Sequence, residues 1–346
     1  MEAGLGSCAA YRPIARQWPE GDRRTVRIPA PVGPQRTACQ ILAIGECRDC
    51  THIAPVPSRH FITFWHHLRY APLLSALTFS KRRGFDARVR AFGNFIGFAA
   101  RWFPAARRRL DRELIRVVPD MPRPERMRLC QSIGRNMGKT LFEIYHCDEF
   151  QRLQNRITIS GPGLGALEAA RSQGKGAIIV SGHFGQWEAI RAVLKARGME
   201  TGAVYRPQTN RHYQRRLLAG IEAGGRPIVA TGKIGTKALV SHLRRGGFIA
   251  ILLDEKVVDG VRMSFLGHDA LTSLAAARLA LKYDIPMVPA YGTRIGAGST
   301  FAVEFEAPIP PSDALTMTQA FNDSLSARIL DTPDQWYWML RRWQGL

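Results

Sequence analysis

Beyond residue 150 the apolar positions of this chain follow two rhythms in turn. Short unbroken runs such as AIIV at 177–180 alternate with longer stretches in which Leu, Ile, Val and Ala return every three or four positions. The short runs predict strands at 177–181, 201–205, 227–230, 248–253, 286–292 and 300–305. The longer ones predict helices at 164–173, 185–197, 210–223, 235–245, 272–282 and 316–329. Such alternation implies an α/β fold with a largely parallel central sheet flanked by helices, because parallel neighbours need crossovers and the crossovers cover the sheet. Upstream, a helix is expected over 123–146, opening after Pro122 and Pro124 and carrying Met127, Cys130, Ile133, Met137, Leu141 and Ile144 at helical intervals. No internal repeat is visible.

The N-terminal part reads differently. Residues 1–58 hold no sustained period, are peppered with Pro, Gly and Arg, and lack the apolar centre of a secretory signal. They read as a disordered or non-native leader, and a start near Val56 would give a cleaner N-terminus. Cys47 and Cys50, with His52 beside them, have the spacing of half a zinc site, but no second pair follows and the spacing reads as accidental. From Phe61, FITFWHHLRYAPLLSALTFS is rich in aromatics and Leu yet interrupted by His66, His67 and Arg69. A spanning helix needs about 20 mainly apolar residues, so an interfacial helix fits better. Residues 81–120 add a dense set of cations from Lys81 to Arg116, interleaved with FGNFIGFAARWF. That surface suits an anionic headgroup layer; its plain structural reading is a helical hairpin with solvated charges. The organisation expected is therefore a leader over 1–58, an N-terminal helical membrane-associating region over 59–150 and an α/β core over 151–346.

Charge strengthens that picture. The 49 Lys and Arg against 28 Asp and Glu give a net +21, which predicts an anionic partner: nucleic acid, an acidic protein or a membrane surface. Nucleic acid is disfavoured because the basic residues accompany a lipid-like aromatic surface and no recognition motif is present. The six cysteines, four of them in the first 50 residues, form no disulfide framework and fit a reducing compartment.

Candidate chemistry gathers at strand ends, where open α/β sheets collect their ligands. His183 follows the first predicted strand and Glu188 lies five positions on; Arg206 follows the second, and Asp254 and Glu255 follow ILL in the fourth. Histidine is the side chain best suited to act as a base near neutral pH. Five helical steps put two side chains roughly 140° apart, so His183 and Glu188 can act together only if His183 precedes the helix, as Gly182 and Gly185 would allow. Each residue also has a structural reading: a lone strand-end His, a surface Arg, a loop acid that caps a helix or pairs with Lys256. The GKIGTK run at 232–237, opening on Gly232 and Lys233, has the wrong order for a phosphate loop; HExxH is absent, and Ser181 lies outside any GxSxG.

Several blocks occur in order. GHFGQWE, VYRPQTN, LRRGGFIAILLDEK, VRMSFLGHDALTSLAAARLALKYDIPMVPAYGTR and DQWYWMLRRWQ, together with the upstream NMGKTLFEIY, resemble the successive blocks of the lipid A biosynthesis acyltransferases over roughly residues 60–345. The resemblance implies an H-x4-[DE] dyad, matched by His183 and Glu188. It also implies transfer of an acyl chain from an acyl carrier protein thioester to a hydroxyl of a lipid A precursor, without metal or bound cofactor. A peripheral or monotopic position on the cytoplasmic face of the inner membrane follows from the same likeness; another lysolipid or glycolipid acceptor is the alternative within the superfamily. On this reading His183 is the base, Glu188 fixes its tautomer, and backbone donors of Gly182 to Gly185 or the new helix's N-terminus meet the oxyanion. Arg206 would hold a substrate phosphate with Lys233 and Lys256 as further substrate contacts, and Asp254 would order basic residues near the substrate. Gln186 and Glu255 depart from the family pattern, which commonly has Asn and Gln there; Glu255 brings a negative charge to a place suited to phosphate.

Overall fold

A computed structural model describes residues 83–344 of the chain. The expected leader, its Cys47–Cys50 pair and the aromatic segment at 61–80 lie outside the described residues. Among the described residues three helices come first: α1 over Phe85–Trp102, α2 over Pro104–Val117 and α3 over Arg123–Tyr145. Pro at the start of α2 and α3 sits where a missing N–H costs nothing. The α/β part then runs β1 (Ile157–Ser160), α4 (Gly163–Ser172), β2 (Ala177–Ser181), α5 (Glu188–Ala196), β3 (Thr201–Tyr205), α6 (Arg211–Ala223), β4 (Ile228–Ala230) and α7 (Lys233–Arg244). It continues with β5 (Phe248–Leu252), β6 (Val261–Phe265), β7 (His268–Thr272), α8 (Ala275–Tyr283), β8 (Met287–Ile295), β9 (Thr300–Phe305) and α9 (Ala314–Asp331).

Seven strands form one sheet in the order β1-β9-β8-β2-β5-β3-β4. Every neighbouring pair is parallel except β8 and β9, so the mixed α/β fold with a mostly parallel sheet flanked by helices is present. The fully buried run Ala177–Ser181 lies at its centre, between β5 and β8. Apolar cores lie on both faces: one gathers Leu325, Phe265, Trp336, Trp338 and Trp343, the other Ile190, Val193, Phe301 and Phe305. Two elements were not anticipated. β1 is a four-residue strand, and β6 and β7 form a separate hairpin turning at Leu266-Gly267, both with positive φ. The hairpin strands are half exposed and carry Arg262, His268 and Asp269, which hides the apolar run by which a buried strand is read.

The first and third helices touch backbone to backbone. On α1, a Cβ at Gly97 would come 2.7 Å from the Gln131 carbonyl; on α3, one at Gly134 would come 2.9 Å from the Ile96 carbonyl. Gly93 and Gly138 complete the contact. The close approach brings the polar edges of the two helices together as well as their cores.

Alanine normally stabilises a helix relative to glycine by roughly 0.5–1 kcal/mol. Gly165, in α4 with open space around it, should follow that rule, so Gly165→Ala should raise the melting temperature. Gly134→Ala should instead lower it, overpacking the helix contact by about 1–3 kcal/mol, which at this chain length is roughly 1–4 degrees. Thermal melts of the two variants check the opposite signs.

Candidate active site

β2 and β5 are adjacent and parallel, with Ser181 in register with Leu252. Two residues further along each strand come His183 and Asp254, so the register alone sets them side by side. The Asp254 carboxylate is fully buried and takes three donors: His183 N–H on Oδ2 at 2.6 Å, His183 Nδ1 on Oδ1 at 2.9 Å and the Trp336 indole Nε1 on Oδ2 at 2.8 Å. A carboxylate only accepts, so Nδ1 carries the proton and the Nε2 lone pair is left free as a base. The His183 carbonyl accepts from Tyr337 N–H at 2.9 Å, and the Trp187 and Tyr337 rings flank the imidazole. Burial by itself would lower the His183 pKa, but the charge and hydrogen bond of Asp254 outweigh it and hold the imidazole above its ordinary value. Burial likewise opposes ionisation of Asp254, yet His183 and the indole donor keep its carboxyl below the ordinary range.

His183 lies in the turn before α5, and Gly185 takes the positive φ of 56° that the turn needs. Both His183 and Glu188 line one cavity of about 440 Å³ at the C-terminal ends of β2, β3 and β5. Its walls are mainly apolar, with Leu141, Ile144, Ile190, Ala203, Leu217 and Ile221 among them. The expectation that Glu188 orients the imidazole is corrected. Its carboxylate bonds Arg191 at 2.7 Å, one turn along α5, and Arg191 spends its other donors on the carbonyls of Thr201, Ile221 and Gly225. Asp254, expected only to order basic residues, holds the ring instead. Burial raises the Glu188 pKa against the pull of Arg191.

The oxyanion expectation is corrected in part as well. The N–H groups of His183, Phe184, Gly185 and Gln186 are all committed, to Asp254, Gly182 O, Gln335 O and Gly292 O respectively. Gly182 and Gly185 serve packing. A Cβ at Gly182 would come 2.6 Å from Leu325 and 3.1 Å from Asp254 Oδ2, and one at Gly185 would overlap the Gly292 carbonyl. Gln186, buried, accepts from Glu188 N–H at 3.3 Å at the start of α5 and donates to Glu143 at 2.6 Å. Glu143 also takes both Arg294 terminal nitrogens, at 2.6 and 2.7 Å, and the Ser299 hydroxyl. This buried set ties α3, the β8–β9 turn and the His183 loop together.

At the cavity mouth Arg206 and Glu255 form a pair at 2.6 Å, so the arginine expected to hold a phosphate already faces a carboxylate. Lys256 also lines the cavity, its ammonium on the Gln344 carbonyl, whereas Lys233 is exposed at the start of α7 and does not line it. Among the described residues no group of His, Cys, Asp and Glu is placed to hold a metal ion. Trp336 was missed because nothing in DQWYWMLRRWQ says which indole returns to the sheet.

Residues 62–345 match the family model described as bacterial lipid A biosynthesis acyltransferase. A phosphatidylinositol mannoside acyltransferase of Mycobacterium tuberculosis is 24% identical over 275 residues, which is 77% of this chain and 83% of that protein. A lipid A biosynthesis acyltransferase of Haemophilus influenzae is 25% identical over 189 residues, 52% of this chain and 57% of that protein.

The His183–Asp254 contact makes a prediction about pH. A base works in its neutral form, so acyl transfer should rise with pH through the elevated His183 pKa. Asp254→Asn removes the charge that elevates it; the acid limb of kcat/KM should move to lower pH while the plateau falls about 10²–10⁴-fold. A pH–rate profile that keeps its limb in place would assign Asp254 a purely structural part.

Proposed function

The chain belongs to the bacterial lipid A biosynthesis acyltransferase family and is an acyltransferase, and from that premise we propose that it moves a fatty acyl chain from an acyl carrier protein thioester to a hydroxyl of a lipid A precursor. The observation that carries this reading is His183, held through Nδ1 by Asp254, at an apolar cavity large enough to take an alkyl chain. A substrate hydroxyl is a weak nucleophile until Nε2 takes its proton. The oxygen then bonds to the thioester carbonyl carbon, the tetrahedral adduct collapses with loss of the C–S bond, and the imidazolium returns the proton to the departing thiolate. Asp254 acts as a positioning residue, since it fixes the tautomer and stabilises the imidazolium without touching substrate. No cofactor is called for.

Partners follow from charge. Acyl carrier protein is acidic and inner-membrane lipids are anionic, so a chain of net +21 is attracted to both, on the cytoplasmic face of the membrane. Among the described residues no helix is long and apolar enough to cross a membrane, which is compatible with peripheral or monotopic attachment. One observation favours a second reading, a glycolipid acceptor other than a lipid A precursor. The Arg206–Glu255 pair leaves the cavity mouth less cationic than a phosphate site would be.

Mass spectrometry of lipid A from cells with and without the protein separates the two: loss of one secondary acyl chain supports the first, and unchanged lipid A with turnover of another glycolipid supports the second. In either assay His183→Ala should reduce transfer by about 10²–10⁴-fold with the fold intact; retention of more than about a tenth of the activity would remove the base role. Ala203→Leu, which fills the cavity wall, should shift the preferred donor to a shorter chain. Each methylene left outside forfeits about 0.8 kcal/mol, a factor of roughly four, and donor competition between chain lengths reads it directly.

A further inference from the structure

A second hollow, of about 540 Å³, opens where the polar edges of α1 and α3 meet the β8–β9 turn and the segment before Trp336. Arg90, Arg135, Lys139 and Arg294 line it, with Asp334 as the acid among its lining residues. Arg294 is neutralised by Glu143, but among the described residues Arg90, Arg135 and Lys139 make no ion pair. The Arg135 side chain makes no hydrogen bond among the described residues, and its Nε is buried without a partner. Lys139, only 5% exposed, spends one of its three donors on the Ala297 carbonyl at 3.0 Å. Asp334 offsets this excess only in part: one carboxylate faces Lys139 and Arg135, it accepts from Asn136 at 2.9 Å, and burial raises its pKa against the pull of the two cations. Burial, then Arg294 and Arg135, push the Lys139 ammonium down to about 8. Cations crowded by a glycine contact and left unpaired are costly unless an anion joins them.

The surface beside the hollow identifies that anion's setting. On α1, Arg90, Asn94 and Arg101 fall on one stripe, and Phe95, Phe98 and Trp102 on the next, by the 100° advance per residue. These three aromatics are 60%, 53% and 56% exposed, and Phe103 adds a fourth at 57%. A contiguous aromatic face is unusual on a surface that meets only water, whereas aromatic rings settle at headgroup depth in a bilayer. We propose that this hollow binds the phosphate of an anionic membrane lipid headgroup while Phe95, Phe98 and Trp102 enter the interfacial layer beside it. Arg135 and Arg90 supply planar forks for the phosphate oxygens and Lys139 a point charge. The site is separate from the His183 cavity. It rests on the membrane attachment in the proposed function but not on acyl transfer.

Binding without turnover tests it. The full-length protein is sedimented with phosphatidylcholine vesicles and with the same vesicles containing phosphatidic acid, with inorganic phosphate as a competitor. Arg90→Gln/Arg135→Gln should weaken partition onto the phosphatidic acid vesicles at least tenfold, in line with about 1 kcal/mol for each cation at the surface. Lys237→Gln/Arg244→Gln, an equal loss of charge on exposed positions of α7, should change it less than about threefold. Phe98→Ser/Trp102→Ser should weaken binding to both vesicle types. Arg90→Gln alone, on an exposed residue, should move the same way as the pair, and circular dichroism melts report folding. Equal losses for the two charge pairs would overturn the proposal in favour of diffuse attraction. Saturable binding of inorganic phosphate lost in Arg90→Gln/Arg135→Gln, with vesicle binding unchanged, would overturn it in favour of a free-anion site.

Discussion

The buried Asp254 carboxylate is the constraint around which the site is organised. An ionised carboxyl removed from water costs several kcal/mol unless its oxygens are met by donors, and here three donors come from two separate parts of the chain. The strand end supplies the acid, the next strand's turn supplies the His183 ring and N–H, and the C-terminal segment supplies the Trp336 indole. Trp336 can only donate, so it cannot compete for the imidazole proton. Gly182 is required by the same crowding, since any side chain there would press on Leu325 and on the carboxylate itself. A C-terminal clamp therefore belongs to the chemistry. Arg342, fully buried, fastens that clamp to the Leu271 carbonyl and the Thr272 hydroxyl of the hairpin.

A second buried carboxylate, Glu143, fixes the same loop from the other side. Through Gln186 it holds the start of α5, and through Arg294 and Ser299 it holds the β8–β9 turn. Thr140, one turn earlier on α3, donates to the Gly185 carbonyl at 2.8 Å. The loop that carries His183 is thus tied by its N–H groups, its carbonyls and its side chains, and the imidazole is held in place by the fold itself. The contact between α1 and α3 matters to the reaction for this reason. Those helices support the residue that supports the loop.

Much of the α/β core was legible in the sequence because fully buried parallel strands are written as unbroken apolar runs. AIIVS is such a run, and TGAVY, buried over its first three residues, and TFAVEF, with alternate residues buried, also fall where the pattern put them. The hairpin at Val261–Thr272 was not, because its strands keep one face wet and mix charge into the run. At the site, the position of His183 in a turn before the helix was legible from Gly182 and Gly185 on either side of it, although the pairing with Glu188 for which that position was required is not the one formed. Its partner did not follow. Sequence proximity favoured Glu188, yet proximity along a chain carries little weight when two strands distant in sequence lie in register. Only the adjacency of β2 and β5 brings Asp254 to the ring, and that adjacency is a property of sheet order.

Glu188 then has a different physical meaning. Inside an apolar cavity a lone carboxylate would repel an alkyl chain by holding water, but Glu188 and Arg191 form a neutral unit one helical turn apart. The guanidinium has its remaining donors fixed on carbonyls of three neighbouring segments, so the pair cannot swing into the cavity without breaking several hydrogen bonds at once. At the mouth, Arg206 and Glu255 repeat the device in a wetter setting, where an exposed pair holds more weakly, by about 0–1 kcal/mol. The inner pair is therefore a fixed part of the cavity wall, whereas the outer pair is held weakly enough to exchange its partner for water.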